Sequence, residues 1–493
     1  MSAEELKNGT GVSAADAEQY DYTSQTESDV DPKIRFPCVD ERKLMFKVDM
    51  HVVPILCIMY LMAFLDRVNI SNAALFGLET DLKLVGTQFN TALVIFFVPY
   101  VVFDIPSNIL LKRFKPHVWL SVCMFLFGLF AICQGLVHTY SGLLACRFFL
   151  GVAEAGIFPG CFYLLAMWYK RSEAQKRFSF FFCSTTLAGA FGGLLATAIG
   201  KMDGLRGYRG WRWIFILEGV GTCVISLLLF FAIADFPEEV QWLTNDEKEY
   251  IEARLHADVG QSRRHDKLTW KSGLAIFKDY KIIAGGFMYL GLIVPAYGYT
   301  YFAPSIIESL GYSAIHTQLL SVPPWACSFV FAMLIATVSD HIHHRFAFVV
   351  VPSLISLSGF IVLLRVHDKP HVQYGALFLA AIGAFTAMGV MICWFHTNLA
   401  GHQRRAVGSA WQIGFGNIGG IIAVYSFLAK DAPKYLLGYR VCISFTCLSI
   451  FADIVYFFGV LHENRKRDRA DTAISEDEKA TMGDLNPDYR YVL

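Results

Sequence analysis

Two short stretches carry charge where the chain around them is apolar. One reads Leu65-Asp66-Arg67-Val68-Asn69, the other Arg147-Phe148-Phe149-Leu150-Gly151-Val152-Ala153-Glu154-Ala155-Gly156-Ile157-Phe158-Pro159. Seven residues along an α-helix rise roughly 10.5 Å and stop about 20° short of two turns, so Arg147 and Glu154 share one face at two depths. Asp66 and Arg67 are adjacent and point about 100° apart, so one faces a cavity while the other faces a neighbouring helix. A guanidinium is a permanent cation whose planar fork matches a carboxylate, which makes Arg67 or Arg147 an anion binder. An acid beside an arginine stays ionised and one in apolar surroundings tends to be neutral, so moving the arginine or admitting water switches its proton affinity. Charge at bilayer depth costs at least about 2.5 to 3.5 kcal/mol, so such residues face protein or water and mark a pathway. An inert ion pair that fixes helix packing is the competing reading of either stretch.

The chain that must position these groups is that of a polytopic membrane protein. It has 493 residues, 55% hydrophobic and only 17% charged, with 42 Phe, whereas a soluble chain of this length shows more charge and divides into several domains. Its formal net charge is zero, which offers nothing to nucleic acid. The 12 Cys are scattered through apolar runs without metal-like spacing and read as small buried hydrophobes. No nucleophile, metal cluster or phosphate loop stands out, so an enzyme, a metal site and a cofactor are not expected.

Apolar runs of about 20 residues, enough to cross a bilayer, recur twelve times. They lie near 48–72, 88–111, 117–138, 141–168, 178–200 and 211–235, and then near 281–303, 315–339, 346–365, 372–396, 405–428 and 436–461. The expected organisation is a disordered polar tail over 1–47, a six-helix bundle over 48–235, a polar linker over 236–280, a second bundle over 281–461 and a tail over 462–493. The first tail lacks a signal-peptide layout. Lys112, Arg113, Lys115, Lys170, Arg171, Lys176, Arg177, Arg404, Arg405 and the Arg465–Arg469 cluster fall on one side with both termini. That side is expected to be cytoplasmic. Lys201, Arg206, Arg209 and Arg212 depart from the rule and are expected to form an external loop structure.

Six spans, a linker and six more suggest a repeat transporter with its site near the midplane between the halves. Gly151, Gly156, Gly160, Gly189, Gly192 and Gly193 permit close helix approach, and Pro99, Pro106, Pro159, Pro295, Pro323 and Pro324 can bend spans. Tyr297, Tyr299 and Tyr301 flank Pro295, with Tyr297 the ligand-contact candidate; interfacial anchoring is the other role open to such tyrosines. Trp394 and His396 are expected near the end of the tenth span, His396 as a satisfied helix-end residue, while Asp104 and Asp453 read as structural.

Five stretches carry a resemblance: Phe64-Leu65-Asp66-Arg67-Val68-Asn69-Ile70, Asp104-Ile105-Pro106-Ser107-Asn108, the run from Arg147 to Gly160, Gly210-Trp211-Arg212-Trp213-Ile214-Phe215, and Gly416-Asn417-Ile418-Gly419-Gly420. With the tail Asn486-Pro487-Asp488-Tyr489-Arg490-Tyr491, the chain resembles the anion:cation symporter family of the major facilitator superfamily, in its fungal allantoate and nicotinate permease-like branch. The resemblance implies an all-α major facilitator fold with twelve transmembrane helices in two pseudo-symmetric bundles, alternating access, and proton-coupled uptake of a small organic anion. It implies Asp66 and Glu154 as proton-coupling residues. Arg67, Arg147 and Asn417 fall on its substrate-binding positions, to which Asn69 and Tyr297 are added from this chain. One departure is Lys112-Arg113, where the superfamily usually has an Asp-Arg pair; the copy at Asp340 is retained.

The expected function is proton-coupled import of a small carboxylate such as nicotinate or allantoate. The expected partners are that anion, protons and lipid, with no nucleic acid, in a monomeric multi-pass protein of the plasma membrane. Proton-antiport efflux of a metabolite or drug, and a non-transporting nutrient sensor, are the alternatives.

Overall fold

The computed structural model describes residues 36, 39–111, 113–259, 276–342, 344–399, 402–469 and 489–493. Most of the 1–47 tail, Lys112, the linker's basic cluster at 263–267, His343 and Asn486-Pro487-Asp488 lie outside the described residues. In hydrocarbon each backbone N–H and C=O must be paired within its own segment, so the apolar runs fold as helices. All regular structure among the described residues is helical. The first half comprises α1 (Glu41–Leu75), α2 (Gln88–Leu111), α3 (Pro116–Leu136), α4 (Tyr140–Glu154), α5 (Ile157–Trp168), α6 (Arg171–Gly200) and α7 (Gly210–Ala232). A polar helix, α8 (Asn245–Val259), precedes α9 (Tyr280–Glu308), α10 (Ala314–Ile342), α11 (Phe346–Arg365), α12 (Pro370–Thr397), α13 (His402–Ser426) and α14 (Leu436–Asp468). Among the described residues eleven spans are long and apolar enough to cross a membrane, α4 with α5 counting as one. The remaining expected span is α2, 24 residues long, whose apolar part is Gln88–Asp104.

The fourth span is broken where its sequence demands it. Pro159 has no N–H for the Ala155 carbonyl and its ring crowds that group, so α4 ends at Glu154 and α5 restarts at Ile157. Glu154 therefore sits at a helix end inside the protein.

Two boundaries move. Residues 41–47, expected in the tail, are helical because the Asp40 carboxylate caps α1 by accepting from the N–H groups of Arg42 and Lys43. The Lys43 N–H in particular holds the Asp40 carboxyl below the usual carboxylate range. At the other end α14 continues to Asp468, and Tyr489–Leu493 folds back on the second bundle instead of trailing away. There Val492 O accepts from Trp394 Nε1 at 2.8 Å and Asn398 Nδ2 at 2.9 Å, while the Tyr491 hydroxyl meets Lys281 Nζ at 3.1 Å. The linker also starts ordered: Arg254 on α8 binds Glu41 at 3.0 Å and Glu173, and Lys47 binds Glu247 at 2.9 Å.

The halves pack on each other along α6 with α10 and α2 with α13, one pair on each flank. On the side bearing the chain ends, Phe162 faces His396 with ring centroids 4.6 Å apart and Ser179 Oγ lies 3.5 Å from Cys393 Sγ. On the opposite side Gln318 Nε2 donates to Asn72 Oδ1 at 3.1 Å, and Asn90 Nδ2 donates to the Val424 and Phe427 carbonyls at 2.7 and 2.9 Å. The bundles thus meet both above and below the central region. The unusual basic loop between α6 and α7 lies on that opposite side: Arg212 is held by Asp81 at 3.1 Å and by the Gly135 and Val137 carbonyls at 3.1 and 2.6 Å.

Candidate functional site

Arg67 projects from the last third of α1 into the space between the bundles and is 3% exposed. Its Nη2 bonds Glu154 Oε1, and its Nη1 donates to the Tyr297 hydroxyl at 2.7 Å. Tyr297 lies on α9, and its hydroxyl reaches Asn417 Oδ1 on α13 at 3.5 Å. A chain of Glu154, Arg67, Tyr297 and Asn417 therefore runs from the first bundle to the second. The guanidinium carbon lies 5.3 Å from the ring centroids of Phe96 and Tyr100 and 5.8 Å from that of Phe64. Rings at this range attract a desolvated cation.

Two close approaches build this arrangement. A Cβ on Gly151 would lie 2.3 Å from the Phe96 carbonyl oxygen, so only glycine lets α4 come this near to α2 and carry Glu154 toward Arg67. A Cβ on Gly416 would lie 2.1 Å from Tyr289 Cδ1, so glycine there leaves room for that ring beside Asn417.

Arg67 and Tyr297 line a small cavity of about 20 Å³ with Tyr60, Phe64, Phe182, Tyr289, Phe385 and Met388, while Thr185 and Thr300 supply hydroxyl-bearing side chains to its wall. Aromatic walls with one cation suit a small ligand that has an apolar or planar body and one anionic group. The volume is room for about one water molecule, so a ligand enters only when the bundles move apart.

Not all of the expected residues reach this cavity. Glu154 and Asn417 stand behind Arg67 and Tyr297, bonded to them. Asp66 and Asn69 turn toward α7: Thr222 Oγ1 donates to Asp66 Oδ2 at 2.7 Å, and Asn69 Nδ2 donates to Glu218 Oε2 at 2.6 Å. Of the two orientations open to the adjacent pair, the tertiary packing selects Arg67 inward. Arg147 is 1% exposed and lies between the two groups, with Nη1 3.4 Å from the Arg67 carbonyl and its guanidinium 6.0 Å from the Phe215 ring. Its Nε and Nη2 make no hydrogen bond. Trp394 serves the Val492 contact instead of the cavity, and His396 meets Ser409 at 3.1 Å. Glu218 was not anticipated; a lone carboxylate inside the apolar run Ile216-Leu217-Glu218-Gly219-Val220 is the signal that finds it.

The comparisons with known proteins agree with this architecture. A family model described as Major Facilitator Superfamily matches residues 56–424. The chain belongs to that superfamily. It is 32% identical over 475 residues to the MFS-type transporter cnsO of Penicillium expansum, covering 93% of this chain and 92% of the relative. It is 30% identical over 470 residues to the Major facilitator-type transporter hxnP of Emericella nidulans, covering 92% and 93%. An uncharacterized transporter of Schizosaccharomyces pombe, C1002.16c, is 32% identical over 453 residues, covering 91% and 90%. Among solved structures, an inward-facing, unoccupied bacterial homolog of the human lysosomal transporter Spinster superposes with a TM-score of 0.62 at 15% identity, covering 83% of this chain and 96% of that one. The protein is a multi-pass membrane transporter of the major facilitator type and not an enzyme.

Proposed function

We propose that this transporter imports a small organic carboxylate together with protons, as in the anion:cation symporter branch it resembles, with nicotinate, allantoate or a similar acid as substrate. The plasma membrane is its proposed location and the side bearing the chain ends its cytoplasmic face. The observation that carries this reading is the buried Arg67, held by Glu154 at the wall of an aromatic cavity.

A substrate carboxylate competes with Glu154 for the same guanidinium. A proton on Glu154 removes that competitor, so proton and anion favour each other's binding, and by linkage the effect is reciprocal. This sign gives symport; a transporter in which substrate and proton compete would be an antiporter, and a permanent cation in the site disfavours the cationic substrates that such exchange suits. Carrying one uncompensated negative charge inward against 100 mV costs about 2.3 kcal/mol, which one co-transported proton cancels. The contacts below and above the central region, Phe162 with His396 and Asn72 with Gln318, then supply the two gates of alternating access.

The test uses purified protein in proteoliposomes and a panel of labelled small carboxylates that includes nicotinate and allantoate. An inward proton gradient should drive accumulation of at least one acid, and an ionophore that collapses the gradient should abolish it. Accumulation that persists after collapse, or uptake of organic cations driven by an outward proton gradient, would overturn the reading.

A further inference from the structure

The charged residues that face away from the cavity form a second centre. Asp66 and Asn69 are three residues apart on α1, and Glu218 and Thr222 four apart on α7, so each pair lies on one face of its helix. The Asn69 amide nitrogen donates to Glu218 Oε2 at 2.6 Å and reaches Asp66 Oδ1 at 3.4 Å. One side-chain amide thus joins two carboxylates, which are 5% and 1% exposed.

Counting charges in this part of the bundle shows what the centre needs. Three buried carboxylates (Asp66, Glu154 and Glu218) stand against two buried guanidiniums, those of Arg67 and Arg147. Arg67 is committed to Glu154. Arg147, whose Nε and Nη2 are without hydrogen bonds, can compensate only one of the other two acids. Of the elements packed on α7, α3 brings no charged residue except His117 at its start, which pairs with Asp235, and the part of α6 after Arg177 brings none. Cys223 is the remaining titratable neighbour, and its Sγ faces the Phe125 carbonyl at 3.6 Å. Asp104, also buried, is on α2, one turn beyond Tyr100, and outside this group. A second ionised carboxylate would therefore stand uncompensated at membrane depth, whereas a proton removes the charge. Glu218 Oε1 and Asn69 Oδ1 make no hydrogen bond, which leaves a place for the proton on Glu218 and an unused acceptor on the amide that binds its other oxygen.

We propose that Asp66 and Glu218 together hold one proton in a site bridged by Asn69 and faced by Arg147, making Glu218 a further proton-carrying residue of this transporter. The proposal deepens the import reading, since a carrier driven by protons needs places to store them. Arg147 Nη1 lies 3.4 Å from the Arg67 backbone carbonyl, so the two centres share one stretch of α1.

The test needs no substrate, so its failure is separable from failure of the import reading. Infrared spectra of the full-length protein in liposomes at pH 7 should contain a carbonyl stretch of a protonated carboxylic acid that shifts in D₂O. Glu218→Gln and Asp66→Asn should each remove or shift the same single-carboxyl component, because either change dissolves the shared site. Glu154→Gln should leave that component in place. Glu218→Asp, which keeps the acid, should retain the component at a shifted frequency and covers the case in which Glu218→Gln does not fold. The proposal is overturned if wild type and Glu218→Gln have superimposable carboxyl bands, or if only one of the two carboxylate variants alters the component.

Discussion

Replacing Glu154 by Gln isolates the charge of the carboxylate that holds Arg67. The side chains of the pair are 4% and 1% exposed, so water offers little help to a guanidinium left alone. Removing one partner of a buried ion pair costs about 3–5 kcal/mol. The Gln amide oxygen keeps a hydrogen bond to the charged Arg67 guanidinium worth about 1.5–3 kcal/mol, which leaves a net loss of about 2 kcal/mol. Tyr297 and the three surrounding rings stay in place, so the protein should fold with a lower melting temperature. A bound carboxylate relieves the same deficit, and recovering even about 1.4 kcal/mol of it tightens binding tenfold. Equilibrium binding of labelled nicotinate, or of whichever acid the proteoliposome panel selects, should therefore tighten at pH 7.5 and depend less steeply on pH. Exchange of internal for external acid should continue while proton-driven accumulation stops. A double-mutant cycle with Arg67→Met, read by melting, should return a coupling above about 1 kcal/mol, the range of residues in direct contact. Wild-type pH dependence of binding, intact accumulation, or a coupling near zero would each refute the argument.

Tyr297→Phe removes the hydroxyl that Arg67 Nη1 bonds at 2.7 Å but keeps the ring stacked on Tyr301 at 5.6 Å. A hydrogen bond to a charged group is worth about 1.5–3 kcal/mol, so KM for the acid should change by tenfold or more, and an unchanged KM would remove Tyr297 from the site. Gly416→Ala drives a methyl to 2.1 Å from Tyr289 and should lower stability by about 1–3 kcal/mol, whereas Gly414→Ala, with open space around it, should melt like wild type; equal melting of the two variants would contradict this packing. Deleting Tyr489–Leu493 takes away the partners of Trp394, Asn398 and Lys281. Amide exchange at the end of α12 should then accelerate while the centre of α9 is unaffected, and unaltered exchange at Trp394–Asn398 would show that the strap does not hold that end.

Hydropathy alone sufficed for the membrane architecture, because a bilayer leaves an apolar run of about 20 residues few conformations other than a helix. It also located Asp66, Arg67, Arg147 and Glu154, since charge inside such runs is conspicuous. The break after Glu154 was legible in Pro159, whose missing N–H acts locally. Less was legible at the chain ends. Asp40 starts a helix in a segment that composition reads as a tail, and Tyr489–Leu493 finds its partners on α9 and α12, close to two hundred or a hundred residues away in sequence.

What periodicity could not settle was which way each charged side chain points. Adjacent residues on a helix diverge by about 100° whatever their neighbours, so the choice between Arg67 and Asp66 for the cavity belonged to packing. The structure turns Arg67 toward α9 and Asp66 toward α7, and so pairs Arg67 with Glu154 and Tyr297 and joins Asp66 to Glu218 through Asn69. Composition and spacing declared that charge is buried in this protein. Only the contacts between α1, α4, α7 and α9 decided which charges neutralise one another and which one is left to need a proton, because that depends on distances between residues 80 to 230 positions apart in the chain.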